Sequence, residues 1–427
     1  MQIMKRLIMI LIFTTIFASA FCSGTEKITI SKIKVYLDEN EFSTETNFTE
    51  ESQSPKIKLE TILSFTKLCA DKQFSQSALD REIKQTELRL LNSGLFYTAK
   101  VEKMESRKNP GTYIVYITVT TGFLKRYGGG AIYAVFGNAA LKGNRDQLLW
   151  YIGANKNGIS YLNENSFGKP VILGGDFFTD APLTFFPNTE NITGTSTGPN
   201  IMGKATFGGM ITPDFRLCVD TGASFSFKVL EINKNFVISP YISETKYIVD
   251  NFFWTFEGRV NLFPLQNWGT YIDAAITCNY NPFKNFTIAA LAAGGYSFGD
   301  FENHIKLYRN TETLYCNLGL ANKEIRSGYD FSDLSVSNYI MATLELRYKV
   351  LQFTIPPCFP CNLQPYAFAD VAYADFLNQS GTGKLLDAYG AGLYLNFDCP
   401  VFVTFNFSYG FNHDGKGRFC FAVMQSF

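Results

Sequence analysis

The sequence predicts a transmembrane antiparallel β-barrel of about 14–16 strands, preceded by one small α+β domain. Three observations support this fold class. Aromatic residues make up 16% of the 427 residues and charged residues only 18%, while the mean hydropathy is −0.01. The first twenty residues have the pattern of an export signal. From residue 122 onwards the chain alternates between apolar and polar residues, as strands do when one face meets lipid and the other a lumen.

The composition excludes several classes of protein. The 38 Lys and Arg residues balance the 38 Asp and Glu residues, so we expect no nucleic-acid partner. After the export signal no run of uncharged apolar residues is long enough to cross a bilayer as a helix. The two histidines and the cysteine spacing match no metal site, so we expect no metal and no other cofactor. P-loop, dinucleotide-binding and zinc-protease motifs are missing, so we do not expect an enzyme.

The export signal is assigned to residues 1–20. Lys5 and Arg6 form its positive segment, Leu7–Phe17 is its apolar segment, and Ala18-Ser19-Ala20 is a cleavage site of small residues. Cys22 leaves acylation as an alternative, although the bulky Phe21 stands where such a site needs a small residue. We therefore expect cleavage after Ala20.

All nine cysteines follow this cleavage site, and export permits disulfide formation. The one close pair is Cys358 and Cys361, which follow Pro356 and Pro357 within strand-like sequence. A redox C-x-x-C motif opens a helix, and that context is missing here. We interpret the pair as a disulfide across a turn or as free thiols, with redox chemistry as the alternative.

Residues 27–121 are predicted to form the small α+β domain. Ser75 is a candidate N-cap of its second helix, and Gly94 a candidate glycine at the helix end. A turn at Asn109-Pro110-Gly111 joins the last two strands. The predicted elements are a strand at 27–37 with one slip in its alternation, a loop at 38–58, helices at 59–69 and 75–93, and strands at 97–104 and 112–120.

Residues 122–427 are predicted to form the barrel. Both barrel ends are expected on one side of the membrane, which requires an even number of strands, so the thirteen segments identified leave at least one boundary wrong. A soluble β-sandwich or propeller is the alternative, but the export signal and the aromatic content favour a barrel. The segments are 130–136, 146–153, 171–178, 204–211, 216–228, 253–262, 270–278, 286–296, 339–350, 365–373, 388–397, 401–411 and 418–427.

The last segment has the signature of a closing strand. Phe419, Phe421, Val423 and the terminal Phe427 lie in one alternating register. Barrels of the outer membrane commonly end on such a pattern, because the last strand must be recognised and closed against the first.

Two resemblances refine these predictions. The segment Leu91-Asn92-Ser93-Gly94-Leu95-Phe96 resembles the helix-to-strand junction of POTRA domains, in which a leucine-rich helix is followed by Ser/Thr-Gly-x-Phe and a strand. Ile325-Arg326-Ser327-Gly328-Tyr329, Leu344-Glu345-Leu346-Arg347-Tyr348 and Phe368-Ala369-Asp370-Val371-Ala372 resemble the BamA/TamA outer-membrane assembly superfamily. The chain departs from that family at Ser327, which separates Arg326 from Gly328, and at Ala372, which replaces a glycine. It also has room for one POTRA domain rather than several.

The second resemblance implies a site inside the barrel. Arg326, Gly328 and Tyr329 would belong to a long extracellular loop that folds into the lumen. Glu345 and Asp370 lie on neighbouring predicted strands, where a carboxylate suits the fork of an Arg. An alternative is that Arg326 is a solvated loop residue. Losing one member of a buried ion pair typically costs roughly 3–5 kcal/mol.

The resemblances also imply a function, namely assembly, insertion or translocation of proteins at the outer membrane. Gly128, Gly129 and Gly130 are placed at the start of the first strand, where they either loosen the seam with the last strand or let the linker turn. Implied partners are outer-membrane lipids, unfolded client proteins bound by the edge strand of the periplasmic POTRA domain, and accessory subunits. The alternatives are a two-partner secretion pore for one exoprotein and a passive surface antigen or porin.

Overall fold

The computed structural model describes residues 27–42, 57–130, 133–153, 157–166, 169–180, 200–228, 231–249, 251–265, 269–298, 336–355, 359–376, 383–397, 401–415 and 417–425. These residues form two separate sheets, which are a small sheet near the N-terminus and a closed barrel. In this part of the chain no helix has both the length and the apolar character needed to cross a membrane.

The small sheet carries two helices and its own hydrophobic core. Its strands are arranged in the order β2-β1-β5-β4, β3 pairs with β1, and β1 runs parallel to β5. Ile30, Val35, Leu79, Leu90 and Ile117 are fully buried in the core between sheet and helices. The elements are β1 (Lys27–Leu37), β2 (Asn40–Phe42), α1 (Leu59–Leu63), β3 (Gln73–Ser75), α2 (Gln76–Asn92), β4 (Phe96–Glu105) and β5 (Thr112–Thr121).

The local signals of this domain are confirmed. The Ser75 side chain accepts a hydrogen bond from the backbone N–H of Ala78 and so caps α2. Gly94 has a φ of +69° just after α2, and Gly111 has a φ of +81° in the β4–β5 turn, so both need the left-handed region that glycine tolerates. The slip in the first strand is a register shift between Ile30 and Lys32.

The helix predicted at 59–69 is wrong beyond Leu63, where α1 ends. Past this point the chain turns so that Phe65 and Leu68 both enter the core. The backbone N–H of Lys67 donates to the Glu82 carboxylate of α2 instead of to a helical carbonyl. Tertiary contacts therefore override the helical pattern. The loop predicted at 38–58 is also wrong in part, because β2 lies within it.

The second sheet is a closed antiparallel barrel, which confirms the predicted fold class. Seventeen strand segments form its wall. Because β17 and β18 pair with successive parts of β19, they are two parts of one strand, and the barrel has sixteen strands. The segments are β6 (Lys125–Gly130), β7 (Tyr133–Asn138), β8 (Asp146–Gly153), β9 (Asn157–Asn163), β10 (Val171–Asp180), β11 (Asn200–Thr212), β12 (Phe215–Lys228), β13 (Glu231–Val249), β14 (Phe252–Phe263), β15 (Gly269–Phe283), β16 (Phe286–Phe298), β17 (Val336–Tyr348), β18 (Leu351–Ile355), β19 (Phe359–Phe376), β20 (Gly383–Phe397), β21 (Val401–Phe411) and β22 (Gly417–Gln425).

The two faces of the wall differ in chemistry. Along β17, Ile340, Leu344 and Leu346 point outwards and are 65%, 45% and 43% exposed, whereas Glu345, at 1% exposure, points inwards. Along β12 the outward Leu217 and Val219 flank the inward Cys218, and Asp220 also faces inwards. The barrel thus presents apolar side chains outside and polar ones inside, as a membrane-spanning barrel requires.

Three strands were missing from the sequence prediction, namely β6, β9 and β13. The segment 130–136, predicted as one strand, spans the end of β6 and part of β7. β13 was missed because Pro240 and several charged residues break its alternation. Pro240 pairs with Val219 on one side, while the pairing with β14 skips from Ile238 to Tyr241. A proline has no N–H to donate, and the wall accommodates it by a local gap in the ladder.

The N-terminal domain lies at the barrel end where the connections are short. This end contains the turn at Pro213 and Asp214, between β11 and β12. The connections at the other end include the intervals 181–199 and 299–335, which lie outside the described residues. The 3-10 turn Leu141–Gly143, between β7 and β8, lies at the domain end, where the carbonyl of Gly143 accepts a hydrogen bond from the backbone N–H of Lys58.

Candidate functional site in the barrel lumen

The inner wall formed by β17 to β21 carries the residues that the sequence places in the lumen. Thr343 of β17 pairs with Asp370 of β19, and Glu345 pairs with Phe368. Glu345 and Asp370 therefore lie on neighbouring strands and point to the same side of the wall. Glu345 is two residues along β17 from the residue that pairs with Asp370. They are 1% and 3% exposed. Arg326, Gly328 and Tyr329 lie outside the described residues, so their pairing with these carboxylates stays a prediction.

The Glu345 carboxylate accepts several hydrogen bonds within the wall. Nε and Nη2 of Arg347, two residues further along β17, lie 2.7 and 2.6 Å from Glu345 Oε2. The hydroxyl of Tyr394 on β20 lies 3.3 Å from both carboxylate oxygens. The guanidinium of Arg347 also lies over the Tyr394 ring, 5.2 Å from its centroid. The charge of Glu345 is thus compensated by groups of the wall itself.

Two stacked tyrosines, Tyr366 of β19 and Tyr394 of β20, extend the hydrogen-bonded network from Glu345 towards β21. Tyr366 and Tyr394 stack with ring centroids 4.4 Å apart and planes 16° apart. Tyr366 pairs with Gly392, and a Cβ at that glycine would overlap the tyrosine ring. The ring can therefore lie across β20, and its hydroxyl donates to Asn406 Oδ1 at 2.7 Å on β21. Glycine here is required by the close approach of the ring.

These residues form what we call the inner-wall cluster, defined as Glu345, Arg347, Tyr366, Tyr394 and Asn406. The motif around Glu345 contains Arg347, although no role was predicted for it, and Tyr366, Gly392, Tyr394 and Asn406 were missed. Their only signal in the sequence is a tyrosine, glycine or asparagine within an alternating strand, which does not reveal its cross-strand partner. Register, which no short motif encodes, brings them together.

A second set of charged groups lines the opposite half of the lumen. Lys204 of β11 lies 2.8 Å from Asp176 of β10 and 3.8 Å from Asp220 of β12. Arg259 of β14 lies 3.1 Å from Asp220, and Thr206 donates to Asp220 at 2.8 Å. Opposite charges thus alternate around the wall. Such pairing allows ionised groups to be buried in a lumen.

The seam of the barrel is formed by β22 and β6. β6 has six residues, whereas β19 and β20 pair over fifteen positions. β21 extends past the described end of β22, and there Val401 and Phe402 pair with Tyr127 and Gly128 of β6. Gly128, Gly129 and Gly130 stand at the end of β6, paired with β7, rather than at its start as predicted. The true start, Lys125, was missed because the segment before the glycines is polar.

Other predicted residues are placed as follows. In β22, Phe419, Phe421 and Val423 pair with Tyr409, Phe407 and Phe405, and Phe419 is 60% exposed. Phe427 lies outside the described residues, so the recognition of this strand stays a prediction. Cys361 is buried, and Cys358 lies outside the described residues, so their pairing is also untested.

A G-x-S-x-G pattern at Gly295-Tyr296-Ser297-Phe298-Gly299 escaped the sequence analysis. A nucleophilic serine in that motif sits on a turn from strand to helix. Here Ser297 is the last but one residue of β16, and Gly299 lies outside the described residues. The described residues contain no group of three His, Cys, Asp or Glu side chains placed to hold a metal ion.

Comparisons with known proteins show the fold. No family model matches the sequence, and no curated protein matches it. CdiB from Acinetobacter baumannii is similar at 12% identity and a TM-score of 0.54, over 93% of this chain and 74% of that chain. CdiB from Escherichia coli is similar at 11% identity and a TM-score of 0.51, over 95% and 91%. BamA from Haemophilus ducreyi lacking POTRA domains 1–3 has 12% identity and a TM-score of 0.45, over 93% and 84%. Over most of its length, the chain therefore has the fold of the two CdiB structures.

Proposed function

We propose that this chain is an outer-membrane protein that assembles, inserts or translocates other proteins at that membrane. The observation that supports this most directly is a closed barrel with a short seam, joined at its first strand to a small domain with an exposed edge strand. The resemblance of the sequence to the BamA/TamA superfamily implies the same activity, and the fold shared with the CdiB structures is compatible with it.

The same proposal assigns the parts of the chain. Residues 1–20 are the export signal, residues 27–121 form one periplasmic POTRA domain, and residues 122–427 form the barrel in the outer membrane. The outward apolar residues of the barrel support a position in lipid. The domain lies at the end with short turns, which in outer-membrane barrels is the periplasmic end.

The seam is the proposed site of action. Because β6 has only six described residues, the seam is short compared with the fifteen paired positions of β19 and β20. The glycines at the end of β6 weaken it further, since they contribute no side-chain packing. A client strand that pairs with an opened β6 replaces the hydrogen bonds lost there, so the exchange costs little free energy.

Client capture is assigned to β4. This strand is the last in the small sheet, and among the described residues it pairs only with β5. Tyr97 and Met104 of β4 are 61% and 58% exposed. The Val101 N–H of β4 donates to Glu87 of α2. An edge strand with exposed apolar side chains nevertheless suits the addition of an extended peptide. Clients are therefore expected to be unfolded outer-membrane or secreted chains.

The lumenal loop is assigned a positioning role. The proposed pairing of Arg326 with Asp370 and Glu345 would attach the loop 299–335 to the inner wall. The buried carboxylates of β17 and β19 support it, since both face one patch. An exchange of charge between Arg326 and Asp370 tests it. Each single change should reduce the folded yield and the double change should restore it.

Depletion of the chain, followed by proteomics of the outer membrane, distinguishes the candidate functions. Loss of many barrel proteins supports assembly. Loss of one secreted protein, with the others unchanged, supports the two-partner secretion pore. Altered solute uptake without loss of any protein supports a porin and contradicts the proposal.

A lock across the seam tests the mechanism. Cysteines replacing Tyr127 and Val401, which are Cα partners, would tie β6 to β21 when oxidised. The control carries cysteines at Ala274 and Gly294, which are partners on β15 and β16, away from the seam. The seam lock should abolish complementation of depleted cells and reduction should restore it. Full activity of the oxidised seam lock would contradict opening at this position.

A further inference from the structure

The turn between β11 and β12 carries a buried carboxylate that receives two cations from the N-terminal domain. Asp214 is only 7% exposed at its side chain. Arg89 of α2 approaches it with both sides of its fork, Nε at 2.5 Å from Oδ1 and Nη2 at 2.8 Å from Oδ2. Lys67 Nζ lies 2.7 Å from Oδ2. A bidentate pair of this kind fixes the orientation of the two groups as well as their distance.

All five N–H donors of Arg89 find acceptors. Besides the two bonds to Asp214, Nη1 donates to Glu82 Oε1 at 2.7 Å and to the carbonyl of Phe65 at 3.2 Å, and Nη2 donates to Gln85 Oε1 at 3.2 Å. Burial alone would lower the pKa of Arg89, but its bonds to Asp214 and Glu82 outweigh burial and raise it. The two acids, Glu82 and Asp214, balance the two bases, Lys67 and Arg89, so these four residues carry no net charge. The group is thus a complete polar interface in which every charge has a partner.

Further contacts join the domain to other parts of the same barrel end. Gln85 donates to the carbonyl of Tyr247, near the end of β13, at 2.8 Å. The Thr61 hydroxyl and the Lys58 N–H both donate to the carbonyl of Gly143, at 2.9 Å each.

An arginine of the barrel also packs against the core of the domain. The Arg145 guanidinium lies over the ring of Phe65, 4.2 Å from its centroid. Arg145 is in turn held by Glu164, which also binds Arg216.

The positions of these contacts around the ring determine where the domain lies. A barrel of sixteen strands is about 30 Å across, given the usual strand spacing and tilt. The domain is covalently joined at β6, the first strand, and its contacts lie after the second, sixth and eighth strands. The first and eighth strands stand almost opposite each other. A compact domain attached at both positions must cross beneath the mouth of the barrel.

We propose that Arg89 and Asp214 form a latch that holds the N-terminal domain across the periplasmic mouth and closes the lumen on that side. Passage of a chain or solute through the lumen then requires release of this latch, whereas strand exchange at the seam does not. The interface is mainly polar, and its apolar part is the packing of Ala139 and Ala140, between β7 and β8, against the core of the domain. Interfaces of this polar kind between domains commonly open. The inference goes beyond the proposed function, since it concerns access to the lumen and not the nature of the client.

Two measurements on the full chain in detergent micelles test the latch. Hydrogen exchange of the segment 57–68 reports docking, because the N–H of Lys58 bonds across the interface. Labelling of Cys218 by a water-soluble maleimide reports opening of the mouth. Cys218 faces inwards four residues after Asp214, is 1% exposed, and packs against Met210. Mass spectrometry distinguishes it from the other cysteines, and the exposed Cys69 serves as the internal reference.

The variant is Asp214→Asn, and the matched control is Asp80→Asn, which breaks an ion pair with Lys103 inside the domain. Exchange of 57–68 and labelling of Cys218 should both accelerate at least tenfold in Asp214→Asn and remain unchanged in the control. Faster exchange without faster labelling would show that the domain leaves the barrel end while the mouth stays closed by other groups. No change in either rate would show that Asp214 does not hold the domain. Each of these two results overturns the proposal. If Asp214→Asn does not fold, Gln85→Ala removes one contact and should shift both rates in the same direction.

Discussion

Removal of the Glu345 carboxylate should destabilise the barrel by an amount that the inner-wall cluster determines. Glu345→Ala deletes both hydrogen bonds from Arg347 and those from Tyr394, and leaves the guanidinium beside two stacked rings. Removing one member of a buried ion pair costs about 3–5 kcal/mol. Arg347 keeps a 14% exposed side chain through which water can reach it, so we expect about 3 kcal/mol, at the lower end of that range. Glu345→Gln, which keeps the shape, should cost about half as much.

The assay is urea unfolding of the refolded protein in detergent, followed by the loss of the fast-migrating folded band. A double-mutant cycle with Arg347→Ala isolates the pair from the other contacts of Glu345. The two changes together should cost less than the sum of the single changes by about 1.5–3 kcal/mol, since a charge-assisted hydrogen bond contributes this much. Coupling within about 0.5 kcal/mol of zero would show that Arg347 does not stabilise the carboxylate, and would refute the reasoning.

Three further perturbations test other parts of the structure. Gly392→Ala should cost about 1–3 kcal/mol of unfolding free energy, because the new Cβ displaces the ring of Tyr366, whereas Gly203→Ala, with open space around it, should be nearly neutral. Burial raises the pKa of Asp214, but hydrogen bonds from Arg89 and Lys67 outweigh burial and lower it. Docking is therefore stable above the ordinary carboxylate range and is lost as pH falls through the lowered value. Protection of segment 57–68, taken as its exchange rate relative to the intrinsic rate at each pH, should fall on acidification from pH 7, and protection that does not fall would contradict this. Ser75→Ala should destabilise the N-terminal domain by about 1 kcal/mol in thermal unfolding, since the N-cap bond to α2 is lost, and an unchanged midpoint would contradict the cap.

The sequence predicted the local signals of the N-terminal domain well, because each of them acts within a few residues. The cap at Ser75, the glycines at the end of α2 and in the β4–β5 turn, and the slip near Ile30 all follow from backbone geometry and alternation. The helix at 59–69 failed beyond Leu63 because packing of Phe65 and Leu68 into the core outweighs helical propensity.

Barrel strands were predicted where one face is apolar and missed where that alternation breaks. In β13, with Pro240 in its middle, and in the short polar β6, apolar and polar residues do not alternate clearly. Their neighbours supply the missing order, since a strand between two others is held by hydrogen bonds on both sides. The closure of the barrel depends on the pairing of all its strands, and a closed wall in which every pair is antiparallel contains an even number of them.

The candidate sites divide in the same way. Glu345 and Asp370 were identified from short motifs, and the structure places both on one inner face. Tyr394 and Gly392 were not, because cross-strand neighbours depend on register. The partner of Arg89 lies 125 residues further along the chain, and no periodicity relates the two.

From the amino-acid sequence alone followed the fold class and the alternation that separates an apolar exterior from a polar lumen, because these depend on the solvent that each side chain meets. The export signal at residues 1–20 lies outside the described residues and stays a prediction. Only the tertiary structure decided the sixteen strands, the partners inside the lumen and the docking of the domain on Asp214. These depend on register and on ring closure, which bring distant residues within hydrogen-bonding distance and leave no mark in the local sequence.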